Sequence, residues 1–420
     1  MNLLSPRKPA VGFIFVTLVL AIVGFGLLIP VLPKLIVQFR GGDLASGSHA
    51  YGWIVSIYAL MQFIGSPILG SLSDRYGRRR IILIATAGSA LDYVIMACAP
   101  SLTWLFVART IAGFTAGVFA TANAYIVDVT PPEKRAGAFG LLGAAFGLGF
   151  IIGPALGGFL GNIDIRLPFW FAAGCSTLNW FYGFFLLPES LQPENRRDFN
   201  WKRANPVGAL LALKRFPSVL GLAECYFILM LAQTMMFSTW ALYVDHRYHW
   251  NPLGVGLSLM FVGVLSGFVQ AVLVKRLVPR LGETRSVVIG LGISAAAYVC
   301  YGLAPYGWVI YVIIVFASFA GISGPALQAY ITKHVPPNEQ GAVQGVYSGL
   351  ASLAGIPGPF IATWSFGWSI APGNTIHLPG LPFFEGACFT LIALVLAMRS
   401  FRRDAVTNAA AASAAATAPG

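Results

Sequence analysis

Three charged side chains stand inside long apolar stretches of this chain: Asp92, Arg109 and Glu224. A charge in hydrocarbon is costly, so such residues usually pair or line an ion or proton path. At 1.5 Å per residue, Asp92 lies roughly 18 Å along its stretch from Arg80. Arg109 lies roughly 12 Å from the opposite edge near Ser101, hence about 18 Å from the first side of a ~30 Å hydrocarbon core. The two can therefore meet at one depth on neighbouring helices. Burial favours a neutral carboxyl and a nearby guanidinium favours the ion, so a carboxyl under both influences is poised to change charge as water reaches it. Asp92 is the expected proton carrier and Arg109 its tuner. Glu224, about 10 Å from the inner end of its stretch, is a second candidate. The structural alternatives are a fixed Asp92–Arg109 bridge and a Glu224 carboxyl neutralised against a backbone carbonyl.

Polar groups able to hold a substrate are sparse in the apolar stretches: Gln62, Asn123, Gln233 and Gln270, near the rings of Tyr58, Tyr93, Phe237 and Trp240. A few amides and rings in an apolar setting suit a large, partly hydrophobic organic molecule. Gln62, Tyr93, Asn123, Gln233, Trp240 and Gln270 are the expected binding residues, with ordinary interhelical packing as the alternative for each. No metal ligand set is expected. The five cysteines form no CxxC pair, and His246 and His249 lie in an outer loop at a spacing that serves a metal poorly. Neither a catalytic triad, an HExxH, nor a phosphate-binding loop occurs within the apolar stretches, so neither an enzyme nor a cofactor is expected.

The elements that position these residues follow from composition. Of 420 residues, 57% are hydrophobic and 10% charged, against about 25% charged in soluble domains. The mean hydropathy of +0.74 agrees. Apolar stretches near 12–34, 51–72, 81–99, 102–124, 137–160, 168–187, 217–243, 253–274, 286–304, 307–330, 342–367 and 381–399 each approach the ~20 residues that cross a bilayer. The first is longer than the ~7–15 residues of a signal-peptide core, and is expected to be a retained helix. The net charge of +12 does not point to nucleic acid, because the basic residues cluster in short loops between the stretches. With the N-terminus inside, Lys34, Arg40, Arg166 and Arg247 alone fall outside and Arg109 within a span. Both termini are thus expected in the cytoplasm, with the protein in the cell inner membrane. The expected fold is an all-α integral membrane protein of twelve transmembrane helices in two six-helix repeats. Its expected division is residues 1–187, a cytoplasmic linker at 188–216, and residues 217–403. The Ala-rich tail 404–420 is expected to be disordered, an isolated helix being the lesser alternative.

The two halves repeat each other at a constant offset of 205 residues. Ala124-Tyr125-Ile126 recurs as Ala329-Tyr330-Ile331, and Pro131-Pro132 as Pro336-Pro337. Gly77 answers to Gly282, Gly140 to Gly345, and Gly153-Pro154 to Gly358-Pro359. Repeated membrane segments point to a transporter that holds its substrate near midplane between the repeats.

Three motifs carry mechanism. Gly70-Ser71-Leu72-Ser73-Asp74-Arg75-Tyr76-Gly77-Arg78-Arg79 joins the second and third stretches. There Asp74 can face a helix N-terminus or an arginine in contacts that break and reform as the halves rock. A merely topogenic basic loop is the alternative. This pattern resembles the helix 2–3 signature of the major facilitator superfamily. Arg109-Thr110-Ile111-Ala112-Gly113 resembles that superfamily's intramembrane-arginine motif. The run from Gly149 to Gly158 resembles the motif associated with its antiporters. Ala145, Gly149, Gly153 and Gly157 form one small-residue face there, and Pro154 bends the helix. Asp74, Arg78, Asp128, Gly153 and Pro154 are the expected gating residues, Asp128 being too near the inner surface to carry protons.

The resemblance narrows to the tetracycline efflux proteins. It is carried by Ile29-Pro30-Val31-Leu32-Pro33, Tyr58-Ala59-Leu60-Met61-Gln62, Leu91-Asp92-Tyr93, Leu187-Pro188-Glu189-Ser190, Arg247-Tyr248-His249-Trp250 and Pro325-Ala326-Leu327-Gln328-Ala329. It implies exchange of a drug–metal complex for protons. Two family aspartates are replaced, by Ala21 and Ser294. Either the substrate differs, or Asp92 and Glu224 take over part of the task. The leading expectation is proton-coupled efflux of a drug-like molecule. The alternative is symport or facilitated diffusion of a small metabolite.

Overall fold

The structure, a computed structural model, describes residues 11–201, 205, 217–333, 335 and 340–417. Its spans run in chain order as α1 (Val11–Phe39), α2 (Leu44–Tyr76), α3 (Arg78–Cys98), α4 (Leu102–Val129), α5 (Arg135–Ile163) and α6 (Leu167–Leu186). The second series is α7 (Pro217–Tyr248), α8 (Pro252–Leu281), α9 (Glu283–Leu303), α10 (Gly307–Lys333), α11 (Gln340–Ala354 with Pro357–Ile370) and α12 (Leu381–Thr417). Among the described residues, ten helices are long and apolar enough to cross a membrane on length and composition alone. Helices α6 and α11 bring the total to the expected twelve. Asn179, Trp170, Trp180 and Tyr182 dilute the hydropathy of α6, and α11 is split before Pro357 into pieces of 15 and 14 residues.

Local chemistry sets the joints. Asp43 caps α2 by accepting from the Ala45 N–H, and Asn251 caps α8 by accepting from Gly254, with Pro252 at the first turn. The turn into α3 uses Gly77 at φ 99°, and the matching turn into α9 uses Gly282 at φ 79°. Both lie in the region that glycine adopts without steric cost. The repeat reaches the helix breaks as well. Helix α4 is interrupted at Ala116–Gly117, and at the same offset α10 tightens into a 3₁₀ turn at Phe319–Ile322.

One expectation is corrected. The tail does not become irregular at residue 404, because α12 continues to Thr417. Alanine is the strongest helix former, so the Ala-rich run prolongs the last span. Residues 202–204 and 206–216 of the expected linker lie outside the described residues, as do 418–420 and the Arg7-Lys8 flank.

The halves meet along two seams, α5 on α8 and α2 on α11. The start of α1, the end of α12 and the described basic loops after α2, α4 and α8 share one face, here called the basic face. Near the opposite, far face the seams are closed. Asn251 Nδ2 donates to Asn162 Oδ1 at 2.9 Å, and Ser56 Oγ donates to the Ile356 carbonyl at 2.8 Å. A Cβ at Gly158 would stand 3.0 Å from the Gly256 Cα, so here backbone rests on backbone. Trp53 meets Phe360 edge-on at 4.9 Å, and His49 stacks on Trp364 at 4.4 Å. Toward the basic face the seam is open: a Cβ at Gly140, Gly143 or Gly147 of α5, or at Gly267 of α8, would meet nothing within 4 Å.

Candidate functional site

The expected intramembrane pair forms. Asp92 on α3 is 1% exposed and Arg109 on α4 is 5% exposed. Arg109 Nε donates to Asp92 Oδ1 at 3.1 Å, and its Nη2 contacts Asp92 Oδ2 in a two-point bridge. The guanidinium also lies over the rings of Tyr58 at 5.3 Å and Tyr93 at 5.9 Å. Tyr93 thus packs on this pair and does not line the cavity described next. It is buried, and a Cβ at Gly24 of α1 would stand 3.1 Å from its hydroxyl. Glu224 does not join the pair. It lies within the span near the basic end of α7, on an exposed side of that helix and in the opposite half.

A cavity of about 700 Å³ lies in the second half, bounded by α7 to α11 and reaching Thr332 and Val335 at the basic end of α10. It brings together Gln233, Trp240 and Gln270 of the expected binding set, with Gln328, Ser294 and Tyr298. Trp240 forms a fixed wall, its Nε1 donating to Ser258 Oγ at 3.0 Å. Gln270 owes its place to a π segment, Val269–Leu273, inside α8. Such one-turn bulges recur at functional sites. Gln62 and Asn123 are not among the lining residues. Gln62 is half-buried on α2 and Asn123 is exposed on α4.

The loop on the basic face is a network. Arg78 Nη1 bonds Asp74 Oδ1 and Ser73 Oγ, each at 2.6 Å, and its Nε donates to Asp128 Oδ2 at 3.1 Å. Glu189, which the sequence reading did not assign to this site, organises the loop from below. It accepts from the backbone N–H groups of Arg78 at 2.8 Å, Ser190 at 3.0 Å and Leu191 at 3.1 Å. Any Cβ on Gly77 would collide with its carboxylate. Ser190 Oγ completes the set by donating to Asp128 at 3.0 Å. The second half holds a matching pair with the charges exchanged, Lys333 Nζ to Glu283 Oε1 at 2.6 Å. Positions 283 and 333 are the repeat counterparts of Arg78 and Asp128, so the sequence offset could have found this pair.

The small-residue face of α5 is turned inward. A Cβ on Gly153 would stand 2.8 Å from the Gly26 Cα, and one on Gly149 2.5 Å from Ile22 Cγ2, so this face packs on α1 of its own half. That corrects Gly153 as a residue of the moving interface. Pro154 and Gly158 of α5 bear on α8 at Gly256, and Ile151 does so at Gly263. One carboxyl was overlooked altogether: Glu385 on α12, half-buried, which accepts from Ser365 Oγ of α11 at 2.8 Å.

Two six-helix repeats, a cavity in one half and a buried charge pair in the other define a membrane transporter rather than an enzyme. The chain belongs to the Major Facilitator Superfamily, whose sequence profile matches residues 14–359. It is 38% identical over 378 residues to the class C tetracycline resistance protein of Escherichia coli, spanning 90% of this chain and 93% of that one. To the class H protein of Pasteurella multocida it is 35% identical over 383 residues, with the same coverage of both chains. In fold it is similar to the human organic anion transporter MFSD10 (TETRAN), with a TM-score of 0.70, 24% identity, and coverage of 92% of this chain and 98% of that one. It is also similar to a D-xylose-proton symporter, with a TM-score of 0.70, 18% identity, and coverage of 92% and 96%. Family membership gives a small-molecule substrate and a membrane setting.

Proposed function

We propose that the protein exports a drug-like organic molecule across the cytoplasmic membrane in exchange for protons. Residues 1–187 and 217–403 rock as two units joined by the linker at 188–216. The basic face is cytoplasmic, so this conformer, closed at the far face and open at the basic one, faces inward. Binding in the cavity and protonation of Asp92 are the coupled events. Arg109 balances the charge of Asp92 whenever the carboxyl is ionised.

The observation that carries this reading is the Asp92–Arg109 pair, buried on adjacent helices in a chain similar throughout to tetracycline resistance proteins. A buried pair is weak evidence for stability, so its presence in lipid argues for use. The network around Arg78 supports a gate, because it places two carboxylates on one buried guanidinium beside a loop that must move. Replacement of the family aspartates by Ala21 and Ser294 favours the second reading, a metabolite symporter or uniporter. The test is the direction of proton movement. Everted vesicles are acidified inside and tetracycline is added outside. Export by exchange predicts dissipation of the pH gradient, and a gradient left intact by a substrate shown to bind would refute it.

A further inference from the structure

We propose that the cavity takes an aromatic organic molecule of no net charge, unaccompanied by a metal ion. The proposal rests on the export reading and narrows its substrate. Among the described residues that line the cavity, polarity comes from neutral groups: the amides of Gln233, Gln270 and Gln328, and hydroxyls such as that of Ser294. A metal chelate leaving water needs carboxylate or comparably strong oxygen donors, since an uncompensated charge is expensive in a dry site. Amides and hydroxyls instead match the carbonyl and hydroxyl groups of an uncharged molecule donor for acceptor. The backbone adds groups of the same kind. The π segment of α8 abuts the 3₁₀ turn of α10, where Val269 Cγ1 would stand 3.5 Å from a Cβ on Gly321. Irregular backbone at membrane depth persists where it lines a cavity, and it offers dipoles without net charge. An organic cation could use ring faces, worth about 0.5–2 kcal/mol. Of the lining rings, Trp240 and Tyr301 pack edge to face at 5.3 Å and Tyr226 and Tyr347 at 4.7 Å, so these four already turn on one another.

The experiment is equilibrium binding to the purified full chain. Radiolabelled tetracycline is bound with chelator alone and with rising Mg²⁺. Chloramphenicol, an uncharged aromatic, and tetraphenylphosphonium, a permanent cation, are tested as competitors. Metal-free tetracycline should bind at least as tightly as its Mg²⁺ complex, and chloramphenicol should compete where the cation does not. Ser294→Asp should shift preference toward the Mg²⁺ complex by about tenfold, equivalent to about 1.4 kcal/mol. Binding that requires Mg²⁺, stronger competition by the cation, or no binding of any uncharged probe would overturn the proposal. A pH-gradient assay in proteoliposomes separates the two readings. Uncharged ligand bound without proton movement refutes export and leaves this proposal standing. Proton movement driven by the chelate alone does the reverse.

A different observation carries a second inference. Arg78–Asp128 and Glu283–Lys333 occupy equivalent positions with opposite signs. We infer that these pairs exchange partners when the basic face closes, Asp128 meeting Lys333 across the halves. Helices α4 and α10 are repeat counterparts and both pairs stand on the open basic face, so closing that face is the motion that would bring their ends together. Lys333 is 69% exposed on its side chain, so its bond to Glu283 is open to solvent and to a competing carboxylate. The test is a charge swap. Asp128→Lys and Lys333→Asp should each cut transport severely. The double variant leaves both home pairs with like charges and restores only the cross pair. Recovery of half the normal rate or more supports exchange, and a double variant no better than the worse single refutes it. If the swap is not inserted, Asp128→Cys with Lys333→Cys decides: cross-linking that rises under a pH gradient supports exchange, and unchanged cross-linking refutes it.

Discussion

Replacing Asp92 with asparagine separates a proton carrier from a structural clasp. Asparagine keeps the shape but leaves the Arg109 guanidinium without its counter-charge at 5% exposure. Breaking a buried pair from one side costs about 3–5 kcal/mol. The rings of Tyr58 and Tyr93 lie over the guanidinium in both forms and so leave that cost unchanged. That loss of about 3–5 kcal/mol does not exceed the ~5–15 kcal/mol that folded domains hold, so the variant should still insert with a lowered melting temperature. Removing both charges with Asp92→Asn and Arg109→Gln should recover most of that stability, because no uncompensated charge remains. Export driven by a pH gradient should fall to background in both variants, while substrate counterflow without a gradient persists. Thermal melting, counterflow and gradient-driven uptake in proteoliposomes read the three quantities separately. A clasp predicts that the double variant regains export along with stability. Gradient-driven export at the normal rate by either variant would refute the carrier role.

The other predictions concern the gate and the seams. Asp74→Asn should cut transport at least several-fold with normal membrane abundance, because Arg78 loses a 2.6 Å partner; normal transport would make the loop merely topogenic. Gly158→Leu should disfavour the closed far face by forcing apart its contact with Gly256, making cysteine labelling lopsided toward far-face reagents, whereas Gly153→Leu should chiefly lower abundance by unseating α1. Unchanged labelling of Gly158→Leu would remove the α5–α8 seam from the motion. Gly77→Ala should lower stability by about 1–2 kcal/mol for the φ of 99° alone, read by thermal melting, and more if Glu189 is displaced.

Much of the architecture was legible because it follows from local rules. Span length, loop charge and the offset of 205 residues are one-dimensional quantities, and they gave the twelve helices and the glycine turns at 77 and 282. The Asp92–Arg109 meeting was legible for the same reason, since rise per residue fixes depth. Facing direction was not. Gln62 and Asn123 lie on the right helices but outside the cavity lining, and Gly153 turns to α1, because helix rotation is set by neighbours far away in sequence. Glu189 is 111 residues from the N–H it caps, and no periodicity announces such a contact. The π segment that carries Gln270 likewise abuts α10, a contact that periodicity does not announce. Glu224 lies in its span as spacing gave it, but which side of α7 it occupies depends on the helices packed around α7.

The two seams between the halves differ in what must be rearranged to part them. Along α5 and α8, Gly158 and Gly256 bring backbone to backbone, and the Asn162–Asn251 bond is the side-chain contact to be released as the surfaces slide. Along α2 and α11, the ring pairs Trp53–Phe360 and His49–Trp364 must unstack before that edge opens. One edge thus behaves as a smooth bearing and the other as a catch, and the activation enthalpy of each transport cycle should reside mainly in the catch.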